Sequence, residues 1–228
     1  MIIAIAGIAF VYFQYEAAVE EYLSPRLEGY DIHGLDVSHY QREIDWGAVA
    51  RDSFRFVFMK ATERNDFKDR FLRKNWREAG KNGIARGAYH FYRPSIHSEK
   101  QAKNFIRHVQ LVSGDLPPVL DVEVTDKRDK KIIQKGIKNW LEIVEAHYGV
   151  KPIIYCNRYW YKTYIHGKFD DYLVWIAAYT RKNPKLAGNA KWHFWQYTDR
   201  GRINGVKGNV DMNVFYGTEE EFEALLIP

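Results

Sequence analysis

The 228-residue chain predicts an α/β protein, a (β/α) barrel of eight strands whose later strands have lost their helices. Three observations lead there. Short apolar runs rich in β-branched and aromatic residues recur from His33 onward. Segments of helical periodicity separate the earlier runs, which argues for right-handed βαβ units and a parallel sheet. After the sixth run the spacers are too short for full helices and rich in Gly, Asn and Lys. A two-layer doubly wound sheet fits the same alternation and stands as the alternative topology.

The strands fall, in order, at 33–40 (HGLDVSHY), 54–62 (FRFVFMKAT), 85–93 (ARGAYHFYR), 118–124 (PVLDVEV), 151–157 (KPIIYCN), 172–180 (YLVWIAAYT), 192–198 (WHFWQYT) and 208–215 (GNVDMNVF). Helices are predicted over 69–82, with Phe71, Leu72, Trp76 and Ala79 on one face and Gly83 as the stop. A second covers 98–112, with Ser98 as N-cap and Ala102, Phe105, Ile106 and Val109 apolar. A third covers 129–148, with Ile132, Ile133, Ile137, Trp140, Leu141 and Val144, and ends at Gly149.

Composition narrows the class. With 46% hydrophobic and 28% charged residues the chain is globular, and its length suits one large domain. Aromatics at 16% fill cores and also suit the flat C–H faces of sugars. The net charge of +5 favours an anionic partner such as a wall polymer or membrane surface. No basic block marks nucleic acid, so nucleic acid is not an expected partner. The single cysteine, Cys156, excludes an internal disulfide and a cysteine metal site, and its apolar surroundings make it a core filler.

Residues 1–30 form a separate segment ahead of a catalytic unit at 31–228. The first thirteen, MIIAIAGIAFVYF, are almost wholly apolar, yet shorter than the roughly 17–25 residues of a membrane span and without a basic start. The preferred reading is the end of a signal anchor followed by a polar stalk, giving membrane attachment. An unusual export signal and a packed N-terminal helix compete with it.

In a parallel barrel the chemistry gathers at the C-terminal ends of the strands. Those ends offer Asp36, Lys60, Tyr89 with His90, Asp121 with Glu123, Tyr155, Trp175 with Tyr179, Trp195 with Gln196, and Asp211. The most telling is the D-x-E of LPPVLDVEVT. Residues i and i+2 share one face of a strand, so Asp121 and Glu123 project together and raise each other's proton affinity. That is how a site keeps one acid protonated beside one ionised carboxylate near neutral pH, although a strand end reaching solvent shows the same pattern. A cation site is the competing use of clustered acids, but Lys60 in the same cleft opposes it, so no metal is expected. His39, His90 and His193 fall singly, and His90 reads as a hydrogen-bonded wall residue. There is no G-x-S-x-G elbow.

In order along the chain, GLDVSHYQ with IDW after it, FVFMKATE, RGAYHFYRP, LPPVLDVEV, KPIIYCN, LVWIAAYT, FWQYTD and VDMNVFYG resemble the lysozymes of glycoside hydrolase family 25, N-acetylmuramidases of the Chalaropsis type. The resemblance runs from about His33 to Gly217. It implies a flattened eight-stranded TIM-like barrel and hydrolysis of the β-1,4 bond between N-acetylmuramic acid and N-acetylglucosamine, with peptidoglycan glycan strands as partner and no cofactor. It implies that Glu123 is the general acid, that Asp121 is its neighbour, and that Asp36 and Asp211 are the acids of the first and last strands. It places Lys60, Tyr155, Trp175, Tyr179 and Gln196 along the substrate cleft. The enzyme is expected in the cell envelope or secreted, and as a monomer. Covalent retention, inversion and substrate assistance all stay open from sequence, with assistance by the 2-acetamido group favoured. A sugar-binding module without turnover and a chitin-type barrel glycosidase are the readings from other classes.

Overall fold

A computed structural model describes residues 23–180 and 182–228. The apolar stretch read as an anchor, 1–13, lies outside the described residues. The strands are β1 (His33–Val37), β2 (Phe56–Glu63), β3 (Phe67–Lys68), β4 (Ala85–Phe91), β5 (Val119–Asp121), β6 (Ile153–Asn157), β7 (Leu173–Ala177), β8 (Phe194–Gly201) and β9 (Val210–Phe215). Eight of them form the order β1-β9-β8-β7-β6-β5-β4-β2, and β1 pairs with β2 to close the barrel. The two-residue β3 hangs on the end of β2 as a hairpin. The doubly wound alternative is thereby excluded.

The alternation predicts a parallel sheet, and the sheet departs from that at its last strand. β9 runs antiparallel to both β1 and β8. The spacer 202–209 explains this, because a parallel crossover needs a dozen or more residues and an antiparallel return does not. Asp211 therefore reaches the mouth of the barrel from the start of its strand.

Helices cover the first part, as predicted: α1 (Trp46–Arg51), α2 (Leu72–Lys81), α3 (Ser98–His108) and α4 (Lys130–Tyr148). The short α1 was not read from the sequence; Asp45 caps it by accepting from the Ala48 N–H at 3.0 Å. Ser98 is the first residue of α3, not its cap: the cap position is His97, with no side-chain bond. Gly149 ends α4 in the left-handed conformation (φ 73°), which a Cβ disfavours. Beyond β6, the described residues hold a short α5 (Arg158–Trp160), which runs on as a π-turn over Tyr161–Ile165, a 3-10 turn at Ala187–Asn189 and a terminal α6 (Glu219–Glu223).

Strand alternation divides the apolar residues into two sets. One lies between sheet and helices and includes Leu35, Val57, Ile137, Trp140 and Cys156. There His90 is fully buried, stacked on Trp140 at 5.7 Å and bonded to Thr62 at 2.7 Å and Gln101 at 3.0 Å. Burial holds its imidazole down at about 4, so it is a neutral wall residue. The other set fills the barrel: Phe56, Phe58, Val119, Ile153, Trp175, Phe194 and Phe215, with Phe222 of α6 packed against Phe56 and Phe215. Gly34 and Gly87 make room for this filling. A Cβ on either stands 2.4 Å from the ring of Phe56 or Phe58, far inside contact distance.

Candidate active site

The functional layer lies one strand repeat above that aromatic filling. Two residues along a strand is the spacing that returns a side chain to the same face. So Phe58 leads to Lys60, Val119 to Asp121, Ile153 to Tyr155, and Phe194 to Gln196. On the reversed strand, Phe215 and Asn213 lead back to Asp211. These five strands thus raise polar residues to one mouth over a dry floor.

Asp36 and Asp211 face each other directly across the β1–β9 pair. Asp36 is buried, and its Oδ2 accepts from Gln196 Nε2 and Asn213 Nδ2, both at 2.8 Å. Burial pushes its carboxyl up, while these donors and Asp211 pull it back. Asp211 is pushed up to about 9 by burial and by the charge of Asp36. Burial and mutual repulsion hold a proton on this pair; Asp36 Oδ2 already accepts two amide donors, so Asp211 is the partner placed to donate it.

The second pair differs from the prediction. β5 ends at Asp121, so Asp121 and Glu123 do not share one strand face equally: Asp121 is buried, and Glu123 stands just beyond the strand, open to the cleft. Burial, and then the charge of Glu123, hold Asp121 well above the usual carboxylate range. Glu123 is also raised, by the desolvation of a carboxyl crowded into a concave floor although solvent reaches it, and by Asp36. Asp121 Oδ1 is buried without a hydrogen-bond partner. Such an orphaned acceptor is costly unless a ligand supplies a donor.

The remaining predicted residues fall at several depths. Lys60 lies near both acids and opposes their protonation, its ammonium held by Glu63 at 2.8 Å and set over Phe91 at 4.9 Å. Tyr89 is half-buried beside Trp175, and burial and the surrounding aspartates push its phenol well up. Tyr179, 58% exposed, presents its ring to the mouth. Tyr155 is buried, donates to Gln196 Oε1 at 2.9 Å, and its hydroxyl is also within bonding reach of the Glu123 carboxyl. Trp175 and Gln196, expected along the cleft surface, are each only 2% exposed and lie beneath it. Trp175 stacks on Phe58 at 4.4 Å and donates to Asn213 at 2.8 Å. His90 and Trp195, also at predicted strand ends, point outward to the helical layer.

Three contributors were missed. Asn213 orients Asp36; it stands two residues from Asp211 on one strand, the same signal that marks the D-x-E pair. Glu63 anchors Lys60. Asp126 fixes the loop that carries Glu123: it binds Arg93 at 2.7 Å and the Ser95 hydroxyl at 2.7 Å, and Arg93 holds its carboxyl down at about 2. Asp126 and Lys127 both take left-handed backbone (φ 46° and 58°), so this turn is clamped against local strain.

A family model, Glycosyl hydrolases family 25, matches residues 35–206. The chain belongs to this family. Among its relatives, this family 25 hydrolase shares 44% identity over 202 residues with YegX of Escherichia coli O157:H7, covering 86% of this chain and 74% of that one. It shares 33% identity over 208 residues with Lysozyme M1 of Streptomyces globisporus, covering 85% of this chain and 71% of that one. The solved family 25 glycosyl hydrolase from Bacillus anthracis superposes at a TM-score of 0.84 with 38% identity, over 90% of this chain and 98% of that chain. The protein is thus a glycoside hydrolase of the muramidase type, with the mixed α/β barrel of its family.

Proposed function

We propose that this family 25 hydrolase, a lysozyme acting on peptidoglycan, cleaves the β-1,4 bond between N-acetylmuramic acid and N-acetylglucosamine with Glu123 as general acid and Asp121 as the group that orients the substrate's 2-acetamido arm. The observation that carries the roles is the unpartnered, buried Oδ1 of Asp121 beside a raised Glu123. In the free enzyme the two carboxyls compete for protons. An amide N–H from the substrate satisfies Asp121, stabilises its charge, and leaves the proton on Glu123.

Glu123 then passes that proton to the glycosidic oxygen as the bond from the anomeric carbon breaks. The acetamido carbonyl oxygen bonds to the same carbon from the opposite face, while Asp121 holds the N–H. Water adds from the side the leaving group vacated, returns a proton to Glu123, and the acetamido oxygen departs. Two inversions give net retention. Asp36, close to Glu123 and held as an acceptor by Gln196 and Asn213, aims its carboxyl oxygens where the oxocarbenium character develops. The exposed ring of Tyr179 offers a stacking face for a sugar, and Lys60 and Tyr89 line the opposite wall.

The enzyme works in the cell envelope or outside the cell, as a monomer built on the 31–228 barrel, with residues 1–30 tethering it to the membrane. Membrane fractionation with and without that segment tests the tether. Digestion of defined peptidoglycan, with mass spectrometry of the reduced muropeptides and NMR of the first anomer, tests the reaction. Muramic acid at the new reducing end, formed with retention, is the expected outcome. An inverted product removes substrate assistance, and cleavage of chitin with none of peptidoglycan removes the substrate.

A further inference from the structure

The hydrogen bonds beneath the cleft run in a forced direction. An indole N–H only donates, so the Trp175 bond of 2.8 Å turns the Asn213 carbonyl toward the ring and its amide NH₂ toward Asp36. Asp36 Oδ2 is therefore an acceptor. Gln196 must present its own NH₂ to that oxygen, which leaves its carbonyl for the hydroxyls of Tyr155 at 2.9 Å and Tyr179 at 3.0 Å. Tyr155 has one proton and two acceptors in reach, the Gln196 carbonyl and the Glu123 carboxyl.

We infer that Gln196 is a positioning residue which, with Tyr155, forms a two-position hydrogen-bond switch that follows the proton of Glu123. While Glu123 is protonated, Tyr155 donates to Gln196 and its oxygen accepts from the Glu123 O–H. Every group in the row Glu123–Tyr155–Gln196–Asp36 is then satisfied. Once the acid has given its proton to the leaving oxygen, the phenol turns about its C–O bond and donates to the new carboxylate. Tyr179 keeps the Gln196 carbonyl paired meanwhile, so neither position leaves a buried polar atom without a partner. The same rotation reverses when water returns the proton. No bond is made or broken in the switch itself.

This rests on Glu123 being the acid, and the two ideas fail differently. If Glu123→Gln keeps near-normal activity, the acid is elsewhere. The switch is read instead from the alkaline limb of kcat/KM against pH, which follows the acid in the free enzyme. Gln196→Met leaves Glu123 as the phenol's remaining acceptor, which favours the carboxylate, so the limb moves to lower pH by about half to one unit. Tyr155→Phe removes the donor to the carboxylate, so the limb moves to higher pH by a similar amount. Tyr179→Phe, which trims an exposed ring and spares the fold, ties the Tyr155 proton more firmly to Gln196 and moves the limb up by less. In the double variant Tyr155→Phe with Gln196→Met, the limb stays where Tyr155→Phe alone puts it. The other charges facing Glu123 are Asp121 of β5, Asp36 of β1, Asp211 of β9 and Lys60 of β2, and none of these residues is replaced; Gln196→Met does remove one amide donor from Asp36, an effect the double variant reads by itself because the Tyr155 hydroxyl is absent there. A limb that stays put in Gln196→Met or in Tyr179→Phe, or that moves the same way in Gln196→Met and Tyr155→Phe, overturns the inference.

Discussion

The two carboxyl pairs of the cleft are built in opposite ways. Asp36 and Asp211 meet across an antiparallel ladder, share a proton, and are enclosed by Gln196 and Asn213. Asp121 and Glu123 sit at a strand end, one with an orphaned oxygen and the other open to solvent. A pair whose bonds are complete holds its charge state whatever occupies the cleft. A pair left incomplete takes its charge state from what binds. The contrast assigns the first pair to preorganisation and the second to the reacting sugar.

Four measurements break or sharpen that contrast. With Glu123 as the proposed general acid, Glu123→Gln removes the proton given to the leaving oxygen and lowers kcat by about 10³-fold or more in a reducing-end assay. Asp121→Asn turns the acceptor of the acetamido N–H into a group that can also donate, and lowers kcat by roughly 10²-fold or more with retention preserved in the residue that turns over. In the closed pair the partners part company. Asp36→Asn faces the amide donors of Gln196 and Asn213 with another amide and costs on the order of 10²-fold, whereas Asp211→Asn replaces a protonated acid by a neutral donor of the same shape and costs less than about tenfold. If Asp211→Asn is as damaging as Asp36→Asn, the proton is not where the geometry puts it.

The smallest effect lies outside the cleft. His90 titrates at 6.5 in the unfolded chain and at about 4 in the barrel wall. The unfolded state binds the extra proton between those values, so stability falls as pH drops from about 6.5 to about 4, by up to about 3 kcal/mol. Urea titrations across that window check it, and His90→Gln flattens the dependence.

Most of this architecture was legible because a barrel strand with one face on the floor and one on the helices leaves dense apolar runs, and because Gly83 and Gly149 punctuate the helices. The direction of β9 was not, since alternation reads the same forward and backward; only the short spacer 202–209 betrayed it. Depth was not legible either. Trp175 and Gln196, expected at strand ends, are the third residues of β7 and β8, and how far a strand position rises above the floor depends on stagger between neighbours, which no single strand encodes. The unequal exposure of Asp121 and Glu123 has the same origin: the ladder with β4 and β6 stops at Asp121.

The reversed last strand also sets a timetable. A ribosome releases β1 and β2 first and β9 last of the barrel strands, yet β9 is the piece that fits between β1 and β8. Asp36 waits through the synthesis of all the other barrel strands for Asp211 and Asn213 to arrive. A wall-cutting enzyme assembled in this order stays incomplete until its last barrel strand is made, so a product terminated before β9 lacks half of its closed pair.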